Sequence, residues 1–157
     1  MIFVTTGTQF SFDRLLSLLN KWSLQNREVK IVAQTGYSPL TFEFIETYPY
    51  LSPKDYKGYV KRAKVIVGHA GTGTIITAKE NGIPAILMAR QFELNEHRSE
   101  HQVSTVEPFN NIKGVYIVND EQGLFQLLDN IDDLELPTNT VSNREQLIEF
   151  LKKQIFI

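Results

Sequence analysis

Residues 65–102 constrain the fold of this chain more than any other stretch. They read VIVGHAGTGTIITAKENGIPAILMARQFELNEHRSEHQ. A short apolar run, Val65-Ile66-Val67, stops at a glycine-rich turn, Gly68-His69-Ala70-Gly71-Thr72-Gly73-Thr74. A helical segment over about residues 72–81 follows. Gly82 and then Pro84 supply the stop signals of a helix C terminus. Residues 85–88 are a second apolar run and read as the next strand. Strand, turn, helix and strand in this order form a parallel crossover unit. Such units bind ligands at the carboxyl ends of their strands, against helix N termini.

The rest of the chain repeats the alternation. Residues 2–5 read as a buried strand, followed by the turn Thr6-Gly7-Thr8-Gln9. Residues 12–24 carry Leu15, Leu16, Leu18, Leu19 and Trp22 at helical spacing, with Ser11 as the expected cap and Asp13 in the first turn. Residues 29–34 are a second strand and residues 41–45 a short third. Ser52-Pro53 opens a helix that runs to about residue 63. A polar loop over residues 91–96, a helix over 98–106 and a strand over 115–118 come next. Asp120 caps a helix ending near residue 130. An acidic, proline-containing connection over residues 131–139 leads to Ser142-Asn143-Arg144-Glu145, a capping box. It opens an amphipathic helix over about residues 142–155, with Leu147, Ile148, Leu151 and Ile155 on one stripe. The alternation predicts α/β architecture: a single Rossmann-like, doubly wound domain over residues 1–157, with a mostly parallel sheet and right-handed crossovers.

Composition removes several classes of function. A formal net charge of -2 lacks the basic face that nucleic acid requires. There is no cysteine, so a disulfide scaffold or a cysteine zinc site is excluded. The first residues have no basic segment ahead of a long apolar run, and Thr5-Thr6-Gly7 interrupts them at once. No apolar run approaches the roughly 18 residues that span a bilayer. The expectation is a cytoplasmic protein that meets a membrane only through its surface or a partner.

If the first strand and the strand at 65–67 are both central and parallel, their turns face one crevice. Both turns offer glycine, which lets a backbone approach a ligand closely. Both also offer hydroxyls and amide N–H groups at a helix start, which acts as about half a positive charge. A pyrophosphate suits such a place, although the same glycines can serve as tight turns alone. The turn is not a Walker A loop, because no Gly-Lys-Ser/Thr occurs, and glycines 68, 71 and 73 do not have the spacing of the dinucleotide fingerprint. The segment EHRSEHQ, residues 96–102, follows the 85–88 strand at the same edge. Gln102 suits sugar hydroxyls, and Arg98 or His97 suits a phosphate; the alternative is a solvated helix start with ordinary surface charge.

On these residues the chain resembles the donor-binding C-terminal domain of family 28 glycosyltransferases. It resembles more closely the stand-alone small subunits of two-part enzymes, including the PssE-type subunits of bacterial exopolysaccharide and capsule synthesis. The eukaryotic subunit that adds the second N-acetylglucosamine to a dolichol-linked sugar belongs to the same group. The resemblance rests on IFVTTGTQ with Phe12-Asp13-Arg14, on GHAGTGTIITAKENGIPAILMAR, and on EHRSEHQ. These cover most of residues 1–102; the last fifty residues match only in general architecture.

The resemblance implies one half of a GT-B glycosyltransferase, a hexosyltransferase that binds a UDP-sugar. A membrane-associated partner subunit would hold a lipid-linked saccharide acceptor and carry the base, so the chain would act only with that partner, at the inner face of the membrane. Carried over residue by residue, Gly7, Thr8 and Gln9 would approach the diphosphate or sugar from the first turn. His69, Gly71, Thr72, Gly73 and Thr74 would bind the diphosphate from the second. His97, Arg98, His101 and Gln102 would contact phosphate and sugar, with His69 and Arg98 stabilising the charge on departing UDP. Many relatives carry a ribose-binding glutamate where this chain has Thr77, and Glu80 would substitute from the next turn. Transfer would invert the anomeric carbon and would require no metal or other cofactor.

Two rival readings stay open. His97-Arg98-Ser99-Glu100-His101 matches the H-x-x-E-H pattern of a zinc hydrolase, in which histidines at i and i+4 share a helix face, but no motif supplies a third ligand. The chain could also be a non-catalytic nucleotide-binding adaptor that docks a partner through its C-terminal helix.

Overall fold

A computed structural model describes residues 1–96 and 112–138. Among these residues, six parallel strands form one sheet in the order β3-β2-β1-β4-β5-β6. They are β1 (Ile2–Thr5), β2 (Ile31–Gln34), β3 (Ile45–Tyr48), β4 (Val65–His69), β5 (Ala85–Met88) and β6 (Val115–Val118). Four α-helices alternate with them among the described residues: α1 (Asp13–Ser23), α2 (Pro53–Arg62), α3 (Thr72–Asn81) and α4 (Glu121–Asp129).

The apolar runs explain why the sheet lies in the middle. Every residue of β1, β2 and β5 is buried, as befits parallel strands covered on both faces. Side chains alternate across the pleat. Ile2 and Val4 therefore face one layer with Val67, Ile86 and the α1 residues Leu15, Leu16 and Leu19; Leu124 and Leu128 of α4 complete it. Phe3 faces the other layer with Ile66, Leu87, Val60 of α2, and Ile75 and Ala78 of α3. Each fully buried leucine of α1 contributes about 1.5–3 kcal/mol of transfer free energy before entropy is counted.

The winding direction reverses between β1 and β4. From β1 the chain steps outward to β2 and β3; from β4 it steps outward the other way to β5 and β6. The adjacent β1 and β4 run in register, with Thr5 opposite Gly68. A Cβ at position 68 would stand 2.6 Å from the Thr5 carbonyl oxygen, which accounts for a glycine inside a buried strand.

Several expectations need correction. The third strand is Ile45–Tyr48, not residues 41–45; Phe42 instead packs on the core as a half-buried side chain. The second strand starts at Ile31, two residues later than expected. Ser11 does not cap α1: the N-cap residue is Phe12, without a side-chain cap. The Ser11 carbonyl is engaged by Arg90 instead. Single 3₁₀ turns lie inside two segments read as irregular, at Phe92–Leu94 and Ile131–Asp133. The helices expected over residues 98–106 and 142–155 lie outside the described residues. Among those described, no helix is long and apolar enough to cross a membrane.

Candidate functional site

The reversal between β1 and β4 opens a cleft of about 410 Å³ at the carboxyl edge of the sheet. In open α/β sheets this is the position at which ligands are held. Residues of both glycine turns line it, together with Gln34 from the end of β2, Tyr56 from α2, and Arg90.

The first wall is the turn after β1. The buried Thr6 hydroxyl donates to the Gln34 carbonyl at 3.3 Å, and the Thr6 amide donates to the same oxygen at 3.1 Å. These bonds anchor the start of the turn to β2. Gly7 then adopts a φ of 79°, in the left-handed region. A Cβ there would stand 2.8 Å from His69 Cε1, so backbone and imidazole are in direct contact.

The second wall is the turn after β4. The Gly71 amide donates to the His69 carbonyl at 2.7 Å, which tightens the turn. A Cβ at Gly71 would stand 2.3 Å from His69 Nε2. The imidazole is thus flanked by a glycine from each turn. α3 begins at the next residue with Gly71 as its N-cap, and no side chain bonds its first amides. Thr72 and Gly73 line the cleft, so the positive end of α3 faces it.

Beneath the first turn lies Arg90, which is 4% exposed. Its Nη1 donates to the carbonyls of Ser11 at 2.7 Å and Glu96 at 2.9 Å. Its Nη2 donates to the carbonyls of Thr6 and, at 2.9 Å, Phe10. The guanidinium also lies 4.8 Å from the centroid of the Phe12 ring. Burial lowers its pKa to about 10, against the opposing pull of Glu96, so it remains charged at neutral pH. A second pair clamps the same region. Arg14 Nε and Nη2 donate to the two carboxylate oxygens of Glu96, both at 2.9 Å, and Nη2 also donates to the Ala89 carbonyl at 2.8 Å. Glu96 further accepts the Gln91 amide at 2.8 Å. The loop after β5 is thereby tied to α1 and to the turn after β1.

The expected residues fall into three groups. Gly7, Thr8, Gln9, His69, Gly71, Thr72, Gly73 and Thr74 all line the one cleft. Thr77 and Glu80 are not among its lining residues. The Thr77 hydroxyl donates to the Gly73 carbonyl at 2.9 Å, and Glu80 is exposed on α3. His97, Arg98, His101 and Gln102 lie outside the described residues, as does the H-x-x-E-H pattern. No group of three or more metal-capable side chains occurs among those described. Gln34, Tyr56, Phe10 and Arg90 were not foreseen as cleft residues. Arg90 had one available signal: a cation two residues after a buried strand, at the edge where sites form.

Comparisons with known proteins identify the fold and the family. Over 116 residues the chain is 22% identical to the UDP-N-acetylglucosamine transferase subunit ALG13 of Yarrowia lipolytica. The match covers 64% of this chain and 57% of the length of that relative. The NMR solution structure of ALG13 superposes with a TM-score of 0.65 at 16% identity, covering 99% of this chain and 96% of that one. The crystal structure of the glycotransferase of kitacinnamycin gives a TM-score of 0.63 at 13% identity, over 83% of this chain but 34% of that one. The fold is that of a glycosyltransferase GT-B domain. The model of the glycosyltransferase family 28 C-terminal domain matches residues 1–155, nearly the whole sequence, and the chain belongs to that family.

Proposed function

We propose that this chain is the donor-binding half of a two-part, inverting glycosyltransferase, and that its donor is a UDP-sugar. The observation that carries the proposal is the meeting of Gly7 and Gly71 on His69, beside the uncapped start of α3. Two backbone turns that approach one another so closely leave an anion-sized space with amide groups at its rim. In the transfer, the bond from the anomeric carbon to the departing phosphate oxygen breaks, and negative charge grows on the diphosphate. Fixed amides and the α3 dipole, aimed at that charge, lower the barrier. His69 adds a polar group next to it, and Arg98 a cation. The acceptor hydroxyl loses its proton to a base on the partner, so this half alone is inactive. These fixed groups meet the diphosphate charge without a required metal.

The partner is a membrane-associated subunit that holds a lipid-linked saccharide, in exopolysaccharide or capsule synthesis. Exposed apolar side chains on both flanks of the cleft support a partner closing over it. Tyr37, Leu40 and Tyr50 stand on the loops after β2 and β3, and Phe92 and Leu94 on the loop after β5. Most large exposed hydrophobics of the described residues cluster on this one edge, as interfaces do.

Calorimetry with UDP tests the donor half of the proposal, with binding expected in the micromolar to low millimolar range. No heat at millimolar UDP would overturn it. Co-expression with a membrane-associated subunit, followed by a transfer assay over a panel of nucleotide sugars, tests the rest. Transfer is expected only from the pair.

A further inference from the structure

We propose that Arg90 is a positioning residue for the donor site: its guanidinium gathers the carbonyl oxygens of the turn after β1 and so turns that loop's amides toward the ligand. The inference rests on the proposed nucleotide-sugar function of the cleft.

Arg90 follows β5, which is separated from β1 by β4. Two inter-strand spacings amount to roughly 10 Å, so the side chain must cross the end of β4 to reach the loop. There it accepts nothing and donates everything. Each terminal nitrogen has two hydrogens, and each of the four has its own carbonyl: Ser11 and Glu96 on Nη1, Thr6 and Phe10 on Nη2. Three of these four carbonyls belong to the one loop of residues 6–12. In a trans peptide the C=O and the following N–H point in opposite directions. Drawing the Thr6 carbonyl inward therefore sends the Gly7 amide away from the guanidinium, where it makes a long hydrogen bond of 3.5 Å to Thr5 Oγ1.

The effect on an anion is twofold. Carbonyl oxygens that would repel a diphosphate are withdrawn and satisfied. The cation that satisfies them is itself buried below the cleft, where its field is poorly screened. Neither effect requires Arg90 to touch the ligand. The planar fork matters more than the charge, because an ammonium cannot present four coplanar donors.

The test is Arg90→Lys, which keeps the charge and loses the fork. The probes are UDP, inorganic pyrophosphate and uridine, measured by calorimetry on the full chain. UDP and pyrophosphate binding should weaken by about tenfold or more, the scale of a lost set of charge-assisted contacts, while uridine binding holds within about twofold. Amide NMR signals of Gly7 and Thr8 should move, and those of α2 should not. Equal losses for uridine and UDP would mark a merely structural arginine, and unchanged UDP affinity would remove Arg90 from the site; either result overturns the inference. If wild-type protein binds neither UDP nor pyrophosphate, the cleft's proposed function fails first and takes this inference with it. Should the lysine variant not fold, the wild-type guanidinium protons decide. Slow exchange and a shift on adding pyrophosphate are expected, whereas signals that ignore pyrophosphate would overturn the proposal.

Discussion

The four α-helices of the described residues begin in two different ways. α2 and α4, which follow the edge strands β3 and β6, close their own N termini. Ser52 Oγ accepts the Asp55 amide at 3.1 Å, and Asp120 accepts the Gly123 amide at 2.7 Å. α1 and α3, which follow the two central strands, start on Phe12 and Gly71 and receive no side-chain cap. Both uncapped starts lie at the switch point, next to the cleft. A cap at α3 would stabilise the helix by about 1 kcal/mol, but it would occupy the amides an anion needs. The helices after the edge strands are thus finished by their own residues, and under the proposed function a ligand finishes α3.

This contrast can be broken most severely at Gly71. Gly71→Val would push a branched side chain into His69 and over the α3 amides. UDP affinity should fall by on the order of 100-fold while the far-UV spectrum stays that of a folded protein. An unchanged affinity would mean that α3 is not where the anion sits. Gly7→Ala should have the next largest effect. The left-handed φ costs an alanine roughly 1 kcal/mol, and its Cβ would meet His69. UDP binding should weaken by about tenfold with a loss of a few degrees in Tm, read by calorimetry and thermal melting. The helices after the edge strands provide the control. Ser52→Ala should cost about 1 kcal/mol of stability in urea and leave UDP affinity untouched; a parallel loss of binding would erase the distinction between the two kinds of helix start. Smallest of all is the response to metal removal. EDTA should leave UDP affinity unchanged, because backbone amides and cations meet the diphosphate charge. A drop that added magnesium reverses would assign that role to a metal.

The sequence carried its local signals well. Ser52-Pro53, Asp120 and the Gly82 stop with Pro84 two residues on each act within a few residues, and each boundary lies where those residues put it. The buried strands of the centre were visible as unbroken apolar runs. β3 was displaced by about four residues because it is an edge strand. Its half-buried Glu46, Thr47 and Tyr48 look polar, whereas the core-filling Phe42 outside it looks like a strand residue. Ser11 failed as a cap for a different reason: what decides its conformation is an arginine 79 positions away. The two glycine turns were legible as a pair, and their common cleft is lined by eight of the residues named from them. The inner support of that cleft, Arg90 with Arg14 and Glu96, was not, because no local pattern encodes contacts that span most of the chain.

Those long spans also set an order of events during synthesis. Arg90 joins residues 79 to 84 positions earlier in the chain. A nascent polypeptide that has released β1, β2, β3 and β4 can already assemble the middle of the sheet. Its first glycine turn, already tied to β2 through Thr6, stays without its arginine anchor until residue 90 has left the ribosome. The proposed competence to hold a ligand therefore arrives later than the central strands, and a chain cut short before that arginine would lack the cation that gathers the carbonyls of its first glycine turn.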